Sequence, residues 1–116
     1  MPISTRYVFI ASMDVAPEKE ALFNEVYDTE HVPNLLKVPG VRSVTRLRTE
    51  RAGVNIGGEL KPVTGDGAPT YTAIYEIDSP AVLTSEAWAR AVELGRWPSE
   101  VRPFTSNRQH ILKKVV

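Results

Sequence analysis

The segment Tyr27-Asp28-Thr29-Glu30-His31-Val32-Pro33 sets an imidazole beside two carboxylates, at a proline-marked point in a helical pattern. An imidazole is the side chain best suited to moving protons near neutral pH, given a matched pKa and an orienting partner. Tyr27 falls four residues before His31, so on an unbroken helix the phenol and the imidazole share a face. That hydroxyl can bind a ligand oxygen, although most tyrosines serve as amphipathic core residues. Asp28 and Glu30 are near in sequence, but close neighbours on a helix do not face one another. If Pro33 opens a new helical segment, His31 stands at its positive end, which favours a neutral imidazole. The competing reading is a histidine that only bonds the backbone at a kink. Asn34 can orient a polar ligand or simply complete the break.

Other chemistries find less support. A His31–His110 metal pair would need carboxylates such as Glu25 or Asp28, and the close histidine spacings of metal sites do not occur. The chain has no cysteine, which excludes disulfides, thiolate nucleophiles and sulfur-ligated metals. The glycines from Gly53 to Gly67 lack the lysine and strand context of a phosphate-binding loop. No metal site and no cofactor are expected. Arg46 reads as a solvated strand arginine or an anion contact, and Tyr7, Tyr71 and Tyr75 as cleft or interface residues. Trp97-Pro98 anchors an irregular segment or closes a cleft mouth.

These residues need elements to hold them. Arg6–Met13 (RYVFIASM) is an apolar run of the length of a strand buried on both faces. A helix is expected from about Pro17, whose missing N–H costs nothing in a first turn. Leu22, Val26 and Thr29 share one face of it, and Phe23, Tyr27 and His31 another. Pro33 predicts a break near Glu30 to Val32, then a short helix to about Lys37, ended by Pro39-Gly40. Val41–Arg48 reads as a strand with Val41, Ser43, Thr45 and Leu47 on one face. Residues 49–69, with five glycines, read as a flexible hairpin insert. Thr70–Ile77 alternates as a strand. Thr84 or Ser85 caps a second helix through Leu94, with Trp88, Ala91 and Val92 on its buried face. Arg96–Ser106 is irregular, and Asn107–Val116 is a last strand.

The order is β-α-β-β-α-β, the ferredoxin-like split βαβ arrangement: α+β, with two helices on one face of a four-stranded antiparallel sheet. A chain of 116 residues, 42% hydrophobic, makes one domain, residues 1–116. Both faces of the first strand are apolar, and two helices cover one, so a homodimer packed sheet on sheet is expected. Charge balances at 14 basic and 14 acidic residues, against a dedicated nucleic-acid binder. No apolar stretch reaches the roughly 18 residues of a membrane span, and the N-terminus shows no signal-peptide core. No membrane partner and a cytoplasmic location are the expectation.

The run from Leu22 to Val41 resembles the EthD-type members of the dimeric α+β barrel superfamily. Their first helical region carries an aromatic residue, an acidic residue and His-x-Pro, with Pro-Gly before the second strand. Glu30, His31, Pro33, Pro39 and Gly40 match, and Tyr27 stands where many members have tryptophan. The element order extends the likeness over the chain, more loosely in the glycine-rich insert. The resemblance implies a dimer, a small cleft between sheet and helices, and a histidine-centred site. The superfamily's haem-degrading branch uses an asparagine on the first strand, where this chain has Ser12 and no asparagine.

The resulting expectation is a cofactor-independent enzyme acting on a small, apolar, oxygen-bearing molecule. His31 would shuttle a proton in an isomerisation, cyclisation, decarboxylation or monooxygenation. Tyr27 and Asn34 would position the ligand, between walls from Val8, Ile10, Phe23, Leu35 and Trp88. The alternatives are a non-catalytic binding or accessory protein for a hydrophobic metabolite, and a structural dimer with a filled core.

Overall fold

A computed structural model describes residues 2–116. The apolar N-terminal run forms β1 (Tyr7–Val15), whose aromatic and β-branched side chains suit a pleated surface. It pairs antiparallel with β5 (Tyr71–Ile77) on one side and β6 (Thr105–Lys114) on the other. β2 (Val41–Arg48) pairs outside β5, giving the four-stranded order β2-β5-β1-β6. The connection from β1 to β2 carries α1 (Glu20–Val26) and α2 (Val32–Leu36), and that from β5 to β6 carries α3 (Glu86–Ala91). Each crossover skips one strand, which is the expected ferredoxin-like α+β fold.

Alternation along β5 shows where the core lies: Tyr71, Ala73, Tyr75 and Ile77 are buried, and the residues between them are not. The same sheet face contributes Ala11 and Met13, packed with Phe23, Val26, Tyr27, Leu35 and Ala91 from the helices. The opposite face carries Val8, Ile10, Ile74, Thr45, Leu47 and Ile111, with no helix over it. Leu47 and Ile111 there are 45% and 39% exposed.

Three local features depart from expectation. The helix does not break before Pro33. It widens into a π-helical turn over Tyr27–His31, in which the Val32 amide donates to the carbonyl of Tyr27. The wider turn accommodates a residue that lacks an N–H and whose ring crowds an ordinary α-turn. In β2, Val41 pairs Ile77 while Ser43 pairs Glu76, so Arg42 is a bulge. Val41 is therefore buried with the helix-facing residues and not aligned with Ser43. The stretch from Arg96 is also more regular than its prolines imply: a second π-helical turn spans Trp97–Val101, and a 3-10 turn Arg102–Phe104.

Within residues 49–69, β3 (Ala52–Ile56) and β4 (Glu59–Val63) form a separate two-stranded sheet. Gly57 and Gly58 turn it with φ of 60° and 81°, the left-handed pair that a tight hairpin needs. Every residue of both strands is exposed.

Candidate functional site

The helical period delivers the first part of the site. Phe23, Tyr27 and His31 point inward from one helical face, through the π-helical turn. His31 is 5% exposed. Its ring lies nearly parallel to Trp97 at 4.2 Å between centroids and edge-on to Tyr27 at 5.0 Å. Trp97 comes from the second π-helical turn, so two wide turns meet face to face here.

The imidazole is unsupported by polar neighbours: its Nδ1 is buried and makes no hydrogen bond. Burial, helped by the positive charge of Arg102, pulls the pKa of His31 down to about 4, so the ring is neutral at physiological pH. Neutrality thus comes from desolvation and not from a free helix end, because the helical backbone runs unbroken from the π-helical turn through His31 into α2. The neighbouring carboxylates are committed elsewhere. Asp28 pairs with Arg46 at 2.8 Å. Glu30 accepts from the Arg96 amide at 2.9 Å and from its Nε at 2.6 Å, bonds that hold its pKa below the usual range.

Beside His31 lies a cleft of about 220 Å³ between sheet and helices. Its sheet wall is Phe9, Ala11, Met13 and Tyr75. The helical side supplies Tyr27, His31, Leu35, Trp88 and Val92, and the C-terminal third adds Trp97, Arg102, Arg108 and His110. Aromatic rings interlock around it: Phe9 meets Trp88 edge-on at 5.7 Å and stacks on His110 at 5.7 Å. Ser85 caps α3, its hydroxyl accepting from the Trp88 amide at 3.2 Å, which fixes where Trp88 enters.

Tyr27 and Tyr75 share a buried hydrogen bond of 2.7 Å between their hydroxyls. Burial pushes Tyr27 up to about 12 and Tyr75 well above its ordinary value, so both stay protonated. Two hydroxyls hold two protons, and one bond between them uses one. The second proton has no acceptor among the described residues and belongs to a pair that lines the cleft.

The structure therefore brings together His31, Tyr27, Leu35 and Trp88 of the residues expected from sequence. It places four elsewhere. Val8 and Ile10 face away, because β1 alternates and Phe9, Ala11 and Met13 take the helix side. Phe23 is wholly buried behind Tyr27, packed on Tyr71 at 4.9 Å, and forms core, not wall. Asn34 borders a separate surface groove with Lys37, Ala87 and Arg90, where α2 meets α3. Arg46 is not solvated: it donates to Asp28 and Asn24 and lies over the Tyr27 ring at 4.6 Å. Arg102 and Arg108 line the cleft without a sequence motif to mark them. Alternation with His110 along the last strand was the only signal for Arg108, and Arg102, in an irregular segment, had none. Among the described residues no group of three or more histidines and carboxylates is placed to hold a metal.

No protein-family model and no curated protein matches the chain. Solved structures do. An ethyl tert-butyl ether D (EthD) family protein from Bacillus halodurans superposes with a TM-score of 0.54 at 15% identity, over 95% of this chain and 99% of that one. The haem degrader MhuD from Mycobacterium tuberculosis, with two haems in its active site, gives 0.58 at 15% identity, over 95% of each chain. SnoaB, a cofactor-independent oxygenase from Streptomyces nogalater, gives 0.57 at 18% identity, over 94% of this chain and 91% of that one. At such identities the likeness is one of fold: the chain takes the ferredoxin-like α+β fold that these proteins share.

Proposed function

We propose that the protein is a cofactor-independent enzyme that moves a proton on a small, apolar, oxygen-bearing molecule bound in the His31 cleft. The observation that carries this reading is the imidazole of His31. It is buried, neutral and without a hydrogen-bond partner at Nδ1, on the wall of an aromatic cleft. Buried polar groups are normally bonded, and an exception calls for an explanation. A ligand proton is a fitting one.

The residues supply the steps directly. Neutral His31 takes a proton from carbon next to a carbonyl, and the electron pair of that C–H bond moves onto the carbonyl oxygen. The spare hydroxyl proton of the Tyr27–Tyr75 pair is the donor to that oxygen. A fixed donor in a water-poor cleft stabilises a developing oxyanion more than water does. The new imidazolium sits beside the new oxyanion, and each favours the other. Returning the proton at a second carbon completes an isomerisation without an external reactant. The aromatic walls hold a flat ligand and exclude water.

Haem stands outside this reading. A cleft of about 220 Å³ is smaller than the roughly 300–1,000 Å³ of drug-sized sites. A second copy of the chain completes the proposal, covering the open sheet face that bears Ile10, Leu47 and Ile111.

The test uses one- and two-ring aryl ketones in deuterium oxide, followed by proton NMR. At least one is expected to exchange its acidic C–H 10²–10⁴ times faster with the protein than in buffer. His31→Gln should remove that acceleration while calorimetry still shows binding. Ketones that bind without faster exchange would leave a binding protein in place of an enzyme.

A further inference from the structure

We infer that the ligand of the His31 cleft is a planar aromatic acid, and that Arg108 recognises its anionic group. This rests on the cleft being a small-molecule site, as proposed above, and adds what chemistry the molecule carries.

The walls argue for flatness. Phe9, Trp88 and Trp97 present ring faces and edges within one narrow space. Such surfaces bind an arene through stacked and edge-on contacts more favourably than a saturated skeleton of equal size.

The charge distribution argues for an acid. The chain as a whole is neutral, with 14 basic and 14 acidic residues. The cleft is not: two arginines line it, and no aspartate or glutamate does. The two arginines differ in a telling way. Arg102 is already engaged, donating to both carboxylate oxygens of Glu93 at 3.0 and 2.5 Å and to the Val92 carbonyl at 2.6 Å. Arg108 forms no ion pair and no hydrogen bond with any described residue, leaving its planar fork of donors free to take a carboxylate with both oxygens. It lies on β6 two residues before His110, whose ring is stacked on Phe9, so an anion held by Arg108 keeps the attached ring within the aromatic walls. Cations with no internal counter-charge also raise the local concentration of anionic ligands.

Isothermal titration calorimetry of the whole protein with 1-naphthoate and 1-naphthamide tests this. The two probes share ring and size and differ in charge. Wild type should bind the acid at least tenfold more tightly than the amide, with the gap narrowing as salt rises. Arg108→Gln should weaken the acid about tenfold and leave the amide within twofold. Circular dichroism confirms that this variant, altered on a strand surface, keeps its fold. The saturated acid of the same two-ring skeleton, decahydronaphthalene-1-carboxylate, should bind at least tenfold more weakly than naphthoate. Equal binding of acid and amide, or a preference that survives Arg108→Gln, overturns the assignment and leaves the cleft reading intact. If neither probe binds, both fall together.

Discussion

His31 titrates far from the ordinary range of histidines, and that has consequences for both catalysis and stability. Its folded pKa of about 4 lies below the 6.5 of an unfolded chain. Between those values the unfolded state holds more protons, so stability falls as pH drops through this window and levels off below it. The gap of about 2.5 units corresponds to roughly 3 kcal/mol. Urea denaturation at pH 7 and pH 4 should show this loss in wild type, and His31→Gln should lack most of it. In the proposed reaction the base stays free down to about pH 4, so the acid limb of kcat/KM belongs there and not near 6.5. Tyr75→Phe removes the partner of Tyr27 within the cleft wall. It should cost about 1–2 kcal/mol in stability and lower kcat more than it raises KM, because an oxyanion donor acts on the transition state. At this scale the sequence was a good guide to side chains on the helix, where a four-residue period joins Tyr27 to His31. It was a poor guide to β1: both faces of that strand are apolar, so nothing in the residues distinguishes Phe9 and Met13, which line the cleft, from Val8 and Ile10, which do not.

The two π-helical turns are the elements that make the site. Each accommodates a proline, Pro33 just after one and Pro98 within the other, and each presents one ring of the stacked His31–Trp97 pair. The expectation of a break at Pro33 followed from α-helical geometry, and a wider turn is the alternative that geometry leaves out. What locks the turns together is Glu30, whose carboxylate holds the amide and guanidinium of Arg96. Gly95 is part of the same joint. It has φ of 66°, and a Cβ there would collide with a Glu30 carboxylate oxygen. Gly95→Ala should therefore lower the urea midpoint by the equivalent of roughly 1–3 kcal/mol through backbone strain alone. Because the joint also seats Trp97, the substitution should weaken ligand binding by more than a change confined to α3 would. The glycine was legible in the sequence as a helix end. Its engagement with Glu30 was not, since the two lie 65 positions apart and no local pattern links them.

The molecule as a whole is a sheet roofed on one side. The order β2-β5-β1-β6 was legible because alternation and turn residues mark each strand, and the split βαβ connection then leaves one arrangement. The uncovered face tests the proposed pairing of two chains. Ile10→Glu should turn a micromolar dimer into a monomer by sedimentation velocity, whereas Leu60→Glu, on the projecting β3–β4 hairpin at 75% exposure, should leave the assembly unchanged. Chain length and composition called for the core. The hairpin's reach could not be read from them, because its strands touch little beyond each other and carry no buried face. One consequence of the cleft's construction is practical. The chain has two tryptophans, Trp88 and Trp97, and both are in its walls. Its tryptophan emission therefore originates wholly from the place where a ligand would sit, and the wavelength and intensity of that light report occupancy without any attached dye.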